Sequence, residues 1–368
     1  MYEFLGREKG FALDDDDFLR AHWIMYFTYS RDEAGKFASF LLDEHFTAER
    51  AGSGDLSIDE IQGYVSSIQS SARTWHAIHF PERVTGLSDK LRRGLERLDR
   101  LARGAFEPLM MAALQADAKD TELGALLGAA ERFIFLVGRV CQRRADTGDS
   151  RFYRLASEVF RREKTLSEAT EKIRERTEEF FSLEKATADM RDLFRRGEEG
   201  FYGWQGLRYF LFEYEQFLRE QAGMNTGRLN WRDFTTSKKD HVSIEHIYPQ
   251  NPTSGDWAEF ESKTKKERSV LLNSLGNMLA LSQSRNSKLS NRPFDVKKQD
   301  SDGAIGYSNG SYSEIAVSKL SRWTPTEVIE RGLSMLMFLE NRWGVSLGSH
   351  DEKLALLNLR EDGDGAAS

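Results

Sequence analysis

His246 sits in the run Ile244-Glu245-His246-Ile247-Tyr248-Pro249. Leu275-Gly276-Asn277 follows about thirty residues later, and Asn286 comes after it. An imidazole beside a carboxylate, with two amides further along, is a set suited to phosphodiester hydrolysis. That reaction needs an activated water, charge neutralised on the phosphate and help for the leaving 3′ oxygen. A neutral imidazole can take a proton from water near pH 7, because its ordinary pKa lies close to that range. A hard cation, Mg²⁺ or Mn²⁺, can stabilise the developing charge, and it prefers oxygen ligands such as a carboxylate and an amide carbonyl. His246 is therefore the candidate general base, and Glu245 and Asn286 are the candidate metal ligands. Asn277 is the second candidate catalytic residue, its amide bonding the loop that carries His246 and fixing the ring.

These side chains need a strand–loop–strand–helix hairpin to bring them together. Residues 242–248 are rich in β-branched and aromatic types and predict a short strand, ended by Pro249 and Pro252. Residues 277–281 predict a second strand, and residues 284–290 a helical turn carrying Asn286. One constraint is built in. Successive strand side chains point to opposite faces, so Glu245 and His246 meet at one centre only if the backbone bends there.

The order IEHIYPQNP, then Trp257, then SLGNMLALSQSRNSKLSNRPFDVKK resembles the C-terminal nuclease domain of GmrSD-like modification-dependent restriction enzymes, which include SspE-like phosphorothioation-sensing defence nucleases. The likeness runs through Trp323 and Arg331 to Trp343, over roughly residues 201–345. A weaker likeness to the HNH domains of CRISPR effector nucleases covers only the acid–His pair and the two asparagines. The resemblance implies an HNH (ββα-metal) site in which His246 is catalytic, Asn286 holds the metal, and Glu245 stands where many such sites have aspartate. It also implies that Lys288, Asn291, Arg292, Lys297 and Lys298 contact DNA. The implied activity is a Mg²⁺- or Mn²⁺-dependent DNA endonuclease of antiphage defence. Such a site cuts one strand of double-stranded DNA, so it nicks, and paired nicks or an oligomer would give double-strand breaks. Related enzymes begin with a nucleotide-hydrolysing domain marked by Asp-Gly-Gln-Gln-Arg. That motif and any Walker-type glycine loop are missing here, while residues 15–29 resemble segments that follow such a domain. The expectation is a C-terminal part of a longer protein, with the nucleotide-hydrolysing domain as its partner.

The 368 residues suffice for two domains, with 39% hydrophobic residues for their cores and 30% charged residues for helical surfaces. No apolar run is long enough to span a membrane and no signal-peptide pattern opens the chain, so a cytoplasmic protein is expected. A single cysteine, Cys141, excludes a disulfide framework and a cysteine zinc site. The net charge of −7 runs against DNA binding, but residues 228–298 hold about thirteen Lys/Arg against about eight Asp/Glu. That local excess is what phosphate contact requires.

The expected fold is mainly α. A helical domain covers residues 1–199, an α+β HNH (ββα-metal) domain covers 200–346, and a C-terminal tail covers 347–368, disordered from Glu361. Within it, Ser57 and Glu60 predict a capping box, and Leu91, Leu95 and Leu98 one buried helix face. Residues 152–194 predict one or two long helices, and 301–313 an exposed glycine- and serine-rich loop. Thr324 and Pro325 open a closing helix. His76, His79 and His241 read as structural or surface residues, and Asp14 to Asp17 as a solvated helix start. Trp75, Trp204 and Trp231 read as core rather than as base-stacking platforms. The competing function is a non-catalytic DNA- or partner-binding module that uses a nuclease-like fold.

Overall fold

The computed structural model describes residues 13–27, 29, 35–144, 146–196, 199–224, 230–235, 243–300 and 305–359. Expectations for His241, Val242, residues 301–304 and Glu361 to Ser368 lie outside them. The chain divides into two compact units, residues 1–138 with 143–180, and residues 139–142 with 181–368.

The first unit is helical throughout its described part: α1 (Asp15–Tyr26), α2 (Ile58–His79), α3 (Asp89–Leu101), α4 (Glu107–Gln115), α5 (Asp120–Phe133), α6 (Asp149–Phe160) and α7 (Leu166–Phe180), with shorter turns between. Sequence signals set these boundaries. Asp14 caps α1 by accepting from the Asp16 and Asp17 amides, and Asp15 to Asp17 fill the first turn, where the helix dipole favours negative charge. Ser57 and Glu60 form the predicted capping box at the start of α2. Leu91, Leu95 and Leu98 line the buried face of α3. The core gathers Trp23 from α1, Trp75 from α2 and Met111 from α4, with Phe133 and Phe152 behind them.

The second unit contains α8 (Leu183–Arg196), α9 (Leu207–Gln221), β1 (Ser243–His246), α10 (Lys265–Leu272), β2 (Met278–Leu281), α11 (Gln283–Leu289), α12 (Phe294–Lys298), α13 (Tyr312–Ser318), α14 (Pro325–Trp343) and α15 (His350–Leu356). The strands pair antiparallel, with Glu245 opposite Leu279 and His246 opposite Met278. α9 packs against β2, and α14 packs against the Leu275–Asn277 turn. Gly276 permits that approach. A Cβ there would collide with the Val328 carbonyl oxygen and lie 2.8 Å from the Gly332 nitrogen. α14 starts with a Thr324–Glu327 capping box and Pro325, and ends at Gly344 in the left-handed conformation.

Four expectations change. Residues 152–194 hold parts of three helices rather than one or two. Arg162, at φ 61°, breaks the chain after α6, and α7 and α8 are separate. α8 falls in the second unit, so the compact units part near residue 180 rather than at 199. The described stretch 305–313 is not an exposed loop, since Tyr307 is fully buried and Ser313 is buried too. Residues 347–359 are likewise no loose tail. α15 packs on α8 and α14 and buries Leu356.

Candidate functional site

β1 is a regular strand, so Ser243 and Glu245 face one side while Ile244 and His246 face the other. The backbone bend that a shared centre requires is absent. On the Glu245 side the carboxylate is 4% exposed. The ammonium of Lys297 lies 2.6 Å from its Oε1, and the Tyr307 hydroxyl donates to the same oxygen at 3.1 Å. Lys297 also donates to the His246 carbonyl at 3.3 Å and the Ile247 carbonyl at 3.1 Å. Burial pushes the Glu245 carboxyl up and the Lys297 ammonium down, and their mutual attraction opposes both shifts. Tyr307, also buried and beside that carboxylate, is raised well above an ordinary phenol.

Asn286, on α11, is half-buried on this same side. Its Nδ2 donates to Ser243 Oγ at 2.6 Å and to the Ile244 carbonyl at 3.4 Å. The neighbouring Arg285 donates to Glu314 Oε2 at 3.0 Å, which ties α11 to α13.

On the opposite side, His246 is 6% exposed. Its Nε2 lies 3.4 Å from Asn273 Oδ1, and the Tyr202 ring rests on it at 4.9 Å with a 32° tilt. Burial pushes the imidazole down to about 4, Lys297 acts in the same direction, and the Asn273 contact opposes them. The ring is therefore neutral near pH 7.

Asn277 is wholly buried and its amide is fully used. Oδ1 accepts from the Tyr248 amide at 2.8 Å and from Trp323 Nε1 at 3.2 Å. Nδ2 donates to the Tyr248 carbonyl at 3.0 Å and the Leu272 carbonyl at 2.9 Å. It clamps the loop just after His246, as its sequence position suggests, but through the backbone of Tyr248 and not through the ring. The expected bond to the loop is thus present, whereas the expected fixing of the ring does not run through Asn277.

The expected metal ligands do not fit a cation as they stand. Glu245 is buried against a lysine that already neutralises it, and it lies across the strand from His246. Among the described residues no group of three or more His, Cys, Asp and Glu side chains is placed to hold a metal ion.

The expected DNA contacts divide. Lys297, at 0% exposure, is an internal cation and not a phosphate ligand. A lysine in Phe294–Lys298 reads as surface, because lysines are rarely buried unless paired. The partner, Glu245, lies 52 residues away in sequence. Lys298 is spent on its own surroundings, with Asp295 at 2.9 Å, the Leu320 carbonyl at 3.2 Å and the Phe294 ring at 5.0 Å. Lys288 is exposed on α11, and Asn291 and Arg292 are half-buried in the following turn.

Asn273, Tyr202 and Tyr307 have no place in the sequence-based site. Only Asn273 carries a usable signal, as a second amide four residues before Asn277. Of the other candidates, His79 bonds the Trp75 carbonyl at 2.9 Å and approaches Glu107, a structural setting. Trp75 and Trp204 are core residues.

The second unit thus holds an antiparallel strand pair with a histidine at the end of its first strand and a helix following its second. Residues 190–337 match the family model of the GmrSD restriction endonucleases, C-terminal domain. The match lies wholly inside the second unit and contains His246, Asn273, Asn277 and Asn286. No curated protein and no solved structure matches the chain. No helix among the described residues is long and apolar enough to cross a membrane.

Proposed function

We propose that the second unit is a DNA endonuclease of the HNH kind that nicks one strand per site in defence against foreign DNA, with His246 as general base. The observation that carries this reading is His246 itself. It ends β1 inside the family-matched segment, neutral near pH 7 and held by a buried amide. In the proposed step the imidazole takes a proton from water, and the water oxygen bonds to phosphorus. The P–O3′ bond breaks, and the 3′ oxygen leaves with a proton from solvent. Lys263, Lys265 and Lys266, exposed beside or on α10, and Lys288 on α11 supply the positive surface that phosphates require. DNA is thus the proposed substrate, and the nucleotide-hydrolysing domain of related enzymes the proposed partner. No step is assigned to a divalent cation, because Glu245 is closed on Lys297.

One observation favours a second reading. With Glu245 and His246 on opposite faces, the fold also suits a module that binds DNA or a partner without cutting. Supercoiled plasmid, with and without phosphorothioate modification, distinguishes the two. It is incubated with Mg²⁺, Mn²⁺ or EDTA, beside His246→Ala checked for folding by circular dichroism. Open-circular product that falls by about 10²- to 10⁴-fold in His246→Ala is the expected result, the usual range for a lost general base. DNA binding that survives the substitution, with no cleavage under any condition, supports the second reading. The EDTA lanes report whether a cation brought in with the substrate is needed.

A further inference from the structure

Asn273 follows α10 as its C-cap and is 8% exposed. Three of its groups are fixed by the fold. Its backbone nitrogen donates to the Ser269 carbonyl at 3.2 Å, and its side-chain Nδ2 donates to the same carbonyl at 3.3 Å. Its own carbonyl accepts from the Phe201 amide at 3.0 Å, in the turn that carries Tyr202. Gly200 permits that approach. With φ +49°, its conformation suits glycine, and a Cβ there would lie 2.9 Å from the Asn273 Cβ.

The side-chain amide therefore has one orientation. Turned the other way, Oδ1 would face the Ser269 carbonyl, two acceptors in contact. With Nδ2 on Ser269, Oδ1 is the atom presented to His246 Nε2. Oxygen is only an acceptor, so Nε2 must carry the hydrogen. A neutral imidazole protonated on Nε2 has its lone pair on Nδ1. Among the described residues no group donates to Nδ1, and that nitrogen is not among the buried atoms left without a partner. Tyr202, 42% exposed, covers one ring face while Asn273 holds the ring edge, which limits rotation of the imidazole.

We infer that Asn273 is a positioning residue for His246. Its side-chain oxygen selects the Nε2–H tautomer and leaves Nδ1 as the atom that accepts the proton. The catalytic meaning rests on the nuclease reading given above, whereas the tautomer does not.

The test is NMR of the full chain labelled with ¹⁵N-histidine at neutral pH, with the His246 signals assigned by their loss in His246→Gln. Imidazole nitrogen shifts and couplings distinguish Nε2–H from Nδ1–H. Wild type is expected as Nε2–H. Asn273→Ala is expected to give a mixture in which Nδ1–H is clearly populated, and Asn273→Asp, which keeps an acceptor in place, to remain Nε2–H. If Asn273→Ala fails to fold, Asn273→Ser replaces it, because the shorter side chain caps a helix end without reaching the ring. In cleavage assays Asn273→Ala should lose about 10- to 100-fold in kcat, the usual cost of a lost orienting partner, at nearly constant KM, with activity partly rescued in Asn273→Asp. A wild-type ring in the Nδ1–H form, or a tautomer unmoved in the folded Asn273→Ala or Asn273→Ser protein, overturns the inference. The expected tautomer shift in a protein that cleaves nothing upholds Asn273 as the determinant of the ring and counts against the nuclease reading alone.

Discussion

Lys297 and Glu245 are each rare as buried groups and understandable only as a pair. A lone charge in the interior carries a large desolvation penalty, which a partner at 2.6 Å and further acceptors offset. The ammonium has three donors, and three acceptors receive them: Glu245, the His246 carbonyl and the Ile247 carbonyl. Lys297 thus fixes the backbone at the end of β1, where His246 begins its contact with Asn273. Lys297→Met leaves Glu245 buried and unpaired and is expected to cost about 3–5 kcal/mol. Glu245→Gln combined with Lys297→Met should recover a substantial part of that loss in urea unfolding. A double variant as unstable as the single one would show that the pair is not the source of the effect. If Lys297 stays internal, a folded Lys297 variant keeps the wild-type salt dependence of DNA binding. A slope lowered by about one would mean that its ammonium reaches phosphate after all. The residue scale is also where sequence reading goes furthest astray. The strand alternation that separates Glu245 from His246 is visible in the sequence, because it follows from local geometry. The partners Lys297, Tyr307 and Asn273 are not, because each is set by packing between segments 27 to 62 residues apart.

Elements whose boundaries depend on nearest neighbours are legible, and those that depend on packing are less so. The capping boxes at Ser57 and Thr324 and the leucine face of α3 follow from side chains within one or two turns. The division of residues 149–196 into three helices is less visible, since their charged, helix-favouring composition continues across both breaks. Glycines make the difference between local and tertiary demands measurable. Gly276 lies where α14 presses the Leu275–Asn277 turn, and Arg331 adds hydrogen bonds to the Gly276 carbonyl at 2.6 Å and the Met278 carbonyl at 2.9 Å. Gly276→Ala must push α14 away, and a loss of about 1–3 kcal/mol is expected, as for other overpacked sites. Gly128 is exposed within α5, with nothing within 4 Å of an added Cβ. Gly128→Ala should therefore stabilise by about 0.5–1 kcal/mol, the helix preference of alanine over glycine. Chemical unfolding of the two variants gives the comparison. Effects of equal sign would remove the distinction between a crowded glycine and a merely flexible one.

Among the described residues burial lowers four histidines, slightly for His45 and far for His22, His79 and His246, and the last three tie stability to pH. His22 in α1 is pushed down to about 3. His79, at the end of α2, is pushed down to about 4, with Arg103 adding to the effect of burial. His246 is pushed down to about 4 in the second unit. An unfolded chain protonates histidine near pH 6.5. Between that value and the folded values, the unfolded state binds more protons than the native one, so stability rises with pH in this window. Read downward, stability is lost from about pH 6.5 to about pH 4 and then stops falling on account of His79 and His246, while His22 continues to about pH 3. Buried acids work the other way. Burial raises Glu107 and Glu245 above the ordinary carboxyl range, so their protonation on acidification favours the folded state and blunts the slope. Of the three, His22 is pushed down furthest, burial is the cause, and its Nε2 meets Ser67 Oγ at 2.8 Å. The thermal midpoint of the first unit's transition should therefore drop steadily between pH 7 and pH 4.5. His22→Gln can lower the midpoint at pH 7 through lost packing, yet its dependence on pH should be shallower than wild type. Parallel midpoint-against-pH curves for the two proteins would mean that His22 binds its proton as readily in the folded core as in the unfolded chain.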